Sequence, residues 1–305
     1  MQGLSCYTAN LHAYLAGEWD ADAMLGQSVR LAVRVDLPDG QLAFSHHDPP
    51  LDRLPDGTRL CYAGADAVQQ ALPGVIGELA TYGRVLVVVD ASRLPWSVIR
   101  GRAPTPHWLL IDGRRSGRHG GQWHVVDRFT ALMPAGEQLP HEGWLSDWEL
   151  RDAMSLPPRW EPEQEQRNAL AFGAPVPVPA TRTLWLRRRP DDLGRCASLA
   201  GRWLCGDDQV LPFLMNYLLD HSSGITRHLD DLWAAVGHRG FAYRRRLAGG
   251  ITGHERGALR AALTKWENLP RMLRIAAESA QRGRPRPVLA RAAIEVLSRA
   301  EEGIR

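Results

Sequence analysis

A run of apolar, mostly β-branched residues, Val85–Val89, is the feature that most constrains how this chain folds. Such a run is typical of a strand that is buried on both faces at the centre of a sheet. Two further strand patterns follow, at 107–112 and 122–127, and the glycine-rich segment 113–121 between them predicts a hairpin loop. The middle of the chain is therefore predicted to form a sheet with an antiparallel pair.

Apolar residues at three- and four-residue spacing predict helices before this sheet and over most of the last third of the chain. In the first part we expect a strand over 29–36 and helices over 4–16, 20–25, 65–81 (interrupted at Pro73-Gly74) and 147–154, the last after a Ser146–Glu149 capping box. In the last part the expected helices are 193–204, 208–220, 224–236, 239–247, 254–266, 268–281 and 286–302.

Proline content suggests where the chain divides. Residues 157–182 contain six prolines and little periodicity, which is typical of a linker or a draped surface segment. We therefore predict an α+β domain over 1–156, a proline-rich linker over 157–190 and an all-helical domain over 191–305.

Composition excludes several classes of protein. The net charge of +3 on 305 residues is too mild to suggest nucleic acid as a partner. The four cysteines show neither CxxC pairs nor metal-type spacing, so neither a zinc site nor a disulfide framework is predicted. The amino-terminal residues lack a secretory-signal pattern, and no apolar run approaches the ~20 residues that span a bilayer. We expect a cytoplasmic protein with no membrane partner.

Three residues with reactive side chains stand at the ends of predicted elements. Cys6 opens the first helix, and a helix amino terminus favours a thiolate. His107 begins one strand of the hairpin and Asp127 ends the other, so antiparallel pairing predicts that they lie side by side. A thiol, an imidazole and a carboxylate in this arrangement are the parts of a papain-type nucleophile system. The competing interpretation is a buried structural cysteine and a core histidine.

These residues, with their neighbours, resemble the amino-terminal domain of the butirosin biosynthesis protein H family. The resemblance is specific over about 80–130 and looser elsewhere, and only five residues precede Cys6 here, fewer than in that family. The segments that carry it are Cys6–Leu11, Val85–Asp90, Leu94-Pro-Trp96, His107, Asp112-Gly113 and Val125–Asp127.

The resemblance implies a papain-like cysteine-protease fold, with an amino-terminal helix packed on an antiparallel sheet, followed by a helical domain. It also implies an acyltransferase of natural-product (antibiotic) biosynthesis, which takes an acyl group from a carrier-protein thioester and passes it to an amine. The partners would be an acyl carrier protein and a small-molecule acceptor, and a homodimer is left open. No cofactor is expected, because phosphopantetheine would arrive on the carrier protein.

The resemblance also implies roles for individual residues. Cys6 would be the nucleophile and acyl carrier, His107 the general base and Asp127 the group that orients it. The Cys6 backbone N–H, with Gln2 or Asn10, would form the oxyanion hole.

Other residues are expected around the cleft. Asp90, Trp96 and Trp108 would shape it, although buried core positions are equally consistent with the two tryptophans. His124 should point to the opposite face of the sheet from Asp127.

Two further features, the arginine groups and a histidine pair, have a plain interpretation beside a functional one. Arginine groups at 114–118, 187–189 and 244–246 would suit an acidic carrier protein and its phosphopantetheine arm, or would simply be solvated. His46-His47-Asp48 is interpreted as a flexible polar loop rather than a metal site. Two other functions stay open: a cysteine peptidase or thioesterase that hydrolyses through the same triad, and an inactive papain-like module that binds a partner.

Overall fold

The chain combines helices with antiparallel sheets and divides into two units. The computed structural model describes residues 3–117, 120–133, 136–191, 200–221 and 227–304. The first unit combines Met1–Met24 with Pro50–Ser198, and the second combines Leu25–Pro49 with Leu199–Arg305. Within the described ranges, no helix is both long enough and apolar enough to cross a membrane.

Helices and strands alternate through the first half, and helices dominate the end. The described α-helices are α1 (Cys6–Leu15), α2 (Ala21–Ser28), α3 (Val68–Tyr82), α4 (Asp147–Met154), α5 (Pro162–Ala169), α6 (Asp207–Asp220), α7 (Leu229–Ala248), α8 (Gly253–Gln281) and α9 (Pro287–Glu302). The described strands are β1 (Val29–Arg34), β2 (Ala43–His47), β3 (Thr58–Ala65), β4 (Val85–Asp90), β5 (Pro106–Gly117), β6 (Gly120–Asp127), β7 (Ala131–Met133), β8 (Gly136–Gln138), β9 (His141–Ser146), β10 (Thr183–Pro190) and β11 (Trp203–Cys205).

The first unit is built on a six-stranded sheet in the order β3-β10-β4-β5-β6-β9, with every pair antiparallel. Strand β4 is buried at all six positions, which confirms the prediction from its apolar run. One face packs Val85, Val87 and Val89 against residues of α3 and α4. Strands β5 and β6 extend further than predicted, into the segment expected to be a loop.

Helix α3 runs unbroken through Pro73, so the predicted interruption is wrong. The contacts of Val68, Ala71 and Val75 with the sheet hold the helix together across the missing proline N–H. Gly74 is needed for this packing, because a Cβ atom there would lie 2.5 Å from Cζ2 of Trp185 on β10.

The predicted linker 157–190 is not a linker. It contains helix α5 and strand β10, and β10 lies between β3 and β4 inside the sheet. Leu184, Trp185 and Leu186 are buried there. The prolines at 157–182 therefore do not mark one continuous loop, since Pro162 begins helix α5 within that segment.

The second unit is not all-helical. Strands β11, β1 and β2 form a three-stranded antiparallel sheet, and the 25–49 segment that supplies two of them was predicted to belong to the first domain. Leu31, Val33 and Phe44 share one hydrophobic core with the helices α6–α9. Local periodicity finds strand β1 but cannot tell which distant surface it will cover.

The helices of the second unit are longer than predicted. Two pairs of predicted helices each fall largely within one helix of the structure. Predicted helices 224–236 and 239–247 lie in α7, and predicted helices 254–266 and 268–281 lie in α8, which passes through Pro270. The predicted helix 193–204 lies mostly outside the described residues, and its end belongs to strand β11.

The histidines predicted to be in a flexible loop are instead part of strand β2. His47 is buried, and the rings of both His46 and His47 contact His238 of α7, at centroid distances of 4.8 and 4.9 Å. Burial and the positive charge of neighbouring groups hold the pKa of His47 well below its ordinary value. These imidazoles form part of the core of the second unit.

Candidate active site

Cys6 occupies the first turn of α1, where the predicted helix begins. Ser5 caps the helix, since its Oγ accepts a hydrogen bond from the Thr8 backbone N–H at 3.2 Å. The backbone N–H of a first-turn residue has no acceptor within the helix, so that of Cys6 is available to a bound ligand. Cys6 is half-buried, and its Sγ lies 3.9 Å from the carbonyl oxygen of Pro106 at the start of β5.

His107 and Asp127 meet, although not by the predicted register. In the hairpin, Leu110 pairs with Val126, so the same register continued by one residue sets Asp127 opposite Leu109 rather than His107. His107 and Asp127 are therefore diagonal neighbours on one face of the sheet. The distance from Nε2 of His107 to Oδ2 of Asp127 is 3.0 Å, and both side chains are almost fully buried. At this distance the two side chains form an ion pair when the imidazole is protonated.

Because Nε2 of His107 is turned to Asp127, Nδ1 is the ring nitrogen left for Cys6. A negative charge on Cys6, like that on Asp127, would favour the imidazolium form of His107 and raise its pKa. The sulfur also lies against the backbone immediately before His107, at Pro106. The structure therefore brings together all three residues predicted for the nucleophile system.

Both oxygens of the Asp127 carboxylate receive further donors. The Trp96 Nε1–H donates to Oδ2 at 3.0 Å, and the Asn10 side-chain amide donates to Oδ1 at 3.1 Å. The Phe129 backbone N–H also donates to Oδ1, at 3.1 Å. These bonds satisfy a carboxylate that is otherwise removed from water.

Charge outweighs burial at both members of the ion pair. Burial disfavours the imidazolium, yet the Asp127 carboxylate and Cys6 together raise the pKa of His107 to about 10. Burial likewise opposes the charged form of Asp127, but His107 and the donors from Trp96 and Asn10 lower its pKa to about 2. His107 is therefore an imidazolium and Asp127 a carboxylate at neutral pH.

Asn10 does not fit the predicted role in an oxyanion hole. It is fully buried, and its side-chain nitrogen donates to the Trp108 carbonyl at 2.6 Å and to Asp127. Its Oδ1 accepts from the Arg128 backbone N–H at 2.8 Å. No amide hydrogen is left for a substrate. Gln2, the other oxyanion residue predicted, lies outside the described residues.

The sequence contained a signal for the true position of Asn10. It follows Cys6 by four residues, so the two lie on the same face of α1. A buried asparagine on the face that carries the nucleophile is well placed to hold a neighbouring carboxylate. The prediction recognised the position but assigned it to the substrate rather than to Asp127.

Two of the three residues predicted to shape the cleft are structural. Trp108 is fully buried, and its Nε1–H donates to the Tyr62 hydroxyl at 3.2 Å. Asp90 is also buried, and its Oδ1 accepts from the backbone N–H groups of Ser92 and Thr105 at 2.9 and 3.1 Å. Asp90 thus ties together the two ends of the loop that leads from β4 to β5.

His124 lies away from the nucleophile system, as predicted. Its Nδ1 is 2.6 Å from Oδ1 of Asp112, at the β-bulge of the hairpin. This partly exposed pair combines a histidine with a carboxylate, as His107 and Asp127 do, but without their burial.

The hairpin arginines lie beside aromatic rings. Arg114 lies over the ring of Trp123 at 4.8 Å, and Arg115 over the ring of Trp144 at 3.9 Å. Both arginines line an open groove of about 740 Å³ between α3 and the hairpin. Arg118 lies outside the described residues.

Members of the other two arginine groups pair with carboxylates. Arg188 is buried, pairs with Glu18 and lies over the rings of three aromatic residues, Tyr14, Trp19 and Tyr82. Arg244 and Arg246 each pair with a glutamate, Glu267 and Glu255 respectively, at 2.9 Å.

Across the described part of the chain, no group of three or more histidine, cysteine, aspartate or glutamate residues is arranged to hold a metal ion. Comparison with known proteins adds no family: no protein-family model and no curated protein matches this chain.

Proposed function

We propose that this protein is a cysteine-dependent acyltransferase with a papain-like first unit, in which Cys6 carries the acyl group. The single observation that carries the proposal is the position of a helix-start cysteine, whose Sγ lies 3.9 Å from the carbonyl oxygen of the residue before His107, beside the buried His107–Asp127 ion pair. An imidazolium beside a thiol stabilises the thiolate, which is the reactive form of cysteine. An antiparallel sheet that presents the histidine and the carboxylate to such a helix also supports the papain-like assignment.

The reaction has two balanced steps. In the first, the Cys6 sulfur attacks the carbonyl carbon of a thioester, a new C–S bond forms, and the carrier thiol leaves with a proton from His107. In the second, an amine attacks the acyl-Cys6 carbon, a C–N bond forms, the C–S bond to Cys6 breaks, and His107 accepts the amine proton. Asp127 keeps the ring oriented and stabilises its charged form. The free N–H of Cys6 is suited to stabilise the oxyanion in both steps.

The acyl donor we propose is a carrier-protein thioester in natural-product biosynthesis. Its phosphopantetheine would be part of the substrate, so the reaction needs no cofactor bound to the enzyme. The groove is lined by Arg114 and Arg115 together with one acidic residue, Asp112, and this excess of positive charge suits an acidic carrier protein.

Hydrolysis through the same residues is the second candidate, and one observation favours a peptide substrate. In the described part of the chain, β9 forms an edge of the six-stranded sheet, and its first residue His141 pairs with Asp127. An extended peptide can add to such an edge by main-chain hydrogen bonds. Water in place of the amine would then release the acyl group as an acid.

Intact-protein mass spectrometry with small acyl thioesters and acyl-loaded carrier proteins tests the proposal. We expect a mass gain equal to one acyl group, which disappears in Cys6→Ala and persists in Cys61→Ala. Cys61 is a matched control because it is also half-buried and free, but burial raises its pKa. Adding amines should then transfer the acyl group faster than water removes it.

Three results would count against the proposal. An adduct on Cys61 instead of Cys6 would show that Cys6 is not the acyl carrier. Rapid loss of the acyl group to water, at the same rate with and without amines, would favour a thioesterase. If no thioester forms an adduct, a peptidase or a binding module becomes the better interpretation, and cleavage of a peptide library separates those two.

A further inference from the structure

We propose that Trp96 is a positioning residue, which fixes the Asp127 carboxylate for His107 through its indole N–H. This inference rests on the proposed function of the His107–Asp127 pair, and it goes beyond the predicted role of Trp96 as part of the cleft wall. The decisive observation is that Trp96 Nε1 and His107 Nε2 contact the same oxygen, Oδ2 of Asp127, each at 3.0 Å.

Two of the donors to Asp127 act on the oxygen that does not face His107: the backbone N–H of Phe129 and the amide of Asn10 both donate to Oδ1. Trp96 donates to Oδ2, the oxygen that His107 contacts. Its N–H therefore restrains the tilt of the carboxylate at the atom that matters for His107. His107 then meets an acceptor whose position is already set, which reduces the reorganisation needed when its ring gains or loses a proton.

Trp96 is itself held in place by the strand next to Asp127. Its indole stacks on the ring of His141, with centroids 3.9 Å apart and an angle of 10° between the planes. His141 is directly opposite Asp127 in the β6–β9 pair. The loop around Trp96 is also tied to this region, since the Val98 backbone N–H donates to Oε1 of Gln138 at 3.2 Å.

A glycine leaves the room that this stack needs. Gly143 is two residues from His141 on β9, and a Cβ atom there would lie 3.1 Å from Nε2 of His141. The His141 ring would then have to move by a few tenths of an ångström. Gly143→Ala is therefore a way to disturb the stack without touching Trp96, Asp127 or His107.

The test combines Trp96→Phe with a matched tryptophan. Phenylalanine keeps an aromatic ring for His141 but removes the N–H, and the control is Trp144→Phe. Trp144 is a partly exposed tryptophan on β9 that contacts a histidine, His124, but not Asp127. Single-turnover acylation of Cys6 by a small acyl thioester gives the rate constant and the fraction of chains that react.

We expect Trp96→Phe to lower the acylation rate constant about tenfold while every chain still reacts and KM is unchanged. Trp144→Phe should react like the original chain, and Gly143→Ala should fall between the two. In an Asp127→Asn background, Trp96→Phe should have no further effect, because its influence passes through that carboxylate. A purely structural tryptophan would instead reduce the reacting fraction and would act in both backgrounds.

The inference is overturned if Trp96→Phe acylates at the original rate, or if its effect is the same with and without the Asp127 carboxylate. It can also be judged if the proposed acyltransferase activity fails. Four chains are then compared: the original, Trp96→Phe, Asp127→Asn and the double variant. The measured quantity is the rate of Cys6 alkylation with iodoacetamide near neutral pH, which needs no acyl donor. Slower alkylation in Trp96→Phe that vanishes in the Asp127→Asn background supports the positioning role, and equal rates refute it.

Discussion

Replacing Asp127 by asparagine should change the charge state of His107. The asparagine keeps the size of the side chain and an oxygen that can face Nε2, but removes the negative charge. The rise in the pKa of His107 from 6.5 to about 10 corresponds to about 5 kcal/mol in favour of the imidazolium. Burial opposes that form, so Asp127 and Cys6 together contribute more than this amount.

Without the carboxylate, burial is opposed only by Cys6. We therefore expect the pKa of His107 in Asp127→Asn to fall most of the way back to its ordinary 6.5, or below it. At slightly alkaline pH the variant would hold a neutral imidazole, which no longer stabilises a thiolate on Cys6. As the pH is raised, acylation that depends on the imidazolium would then be lost at a lower pH than in the original chain.

Two measurements check this expectation. Nitrogen-15 NMR of the imidazole follows the protonation of His107 directly, and the pH dependence of Cys6 acylation follows its consequence. Asp112→Asn is the matched control, because Asp112 also pairs with a histidine, His124, but on a partly exposed surface. The reasoning is refuted if His107 titrates at the same pH in both Asp127→Asn and the original chain, or if Asp112→Asn shifts it equally.

Two further predictions concern the stability of each unit. Burial lowers the pKa of His238 to about 4, so between pH 6.5 and about 4 the unfolded chain binds more protons than the folded chain. The second unit should therefore lose about 3 kcal/mol of stability as the pH falls through this range. Hydrogen exchange in α7 measures this loss, and His238→Gln should flatten it; an equally steep fall in the variant would show that other groups cause it. In the first unit, Gly74→Ala should destabilise by about 1–3 kcal/mol because its Cβ would overlap Trp185. Gly77→Ala in the same helix enters open space and should stabilise by up to about 1 kcal/mol, and urea unfolding that ranks the two variants the other way would contradict the packing argument.

The site residues were predictable because their signals are local. Cys6 follows a capping serine, and His107 and Asp127 stand at strand ends, which the apolar pattern marks clearly. Their proximity survived an error in the register, because a shift of two residues keeps a side chain on the same face of a strand. The sequence therefore predicted the correct partners with the wrong pairing.

The hydrogen-bond partners of the supporting residues could not be predicted in the same way. Asn10 and Trp96 lie 117 and 31 residues from Asp127 in sequence, and hydrogen bonds across such separations leave no periodic pattern. His141 shows the same limit, since its stacking on Trp96 depends on the order of strands in the sheet.

By itself, the sequence determined the buried central strand, the hairpin beside it, the start of α1 at Cys6 and most of the helical segments. Each of these follows from burial or capping that acts over a few residues. Tertiary structure decided the rest. It placed β10 inside the sheet of the first unit and placed β1 and β2 in the second unit. It also brought Trp96 and Asn10 within hydrogen-bonding distance of Asp127. Those choices depend on which distant apolar surfaces and unsatisfied polar atoms meet, and local sequence patterns do not contain that information.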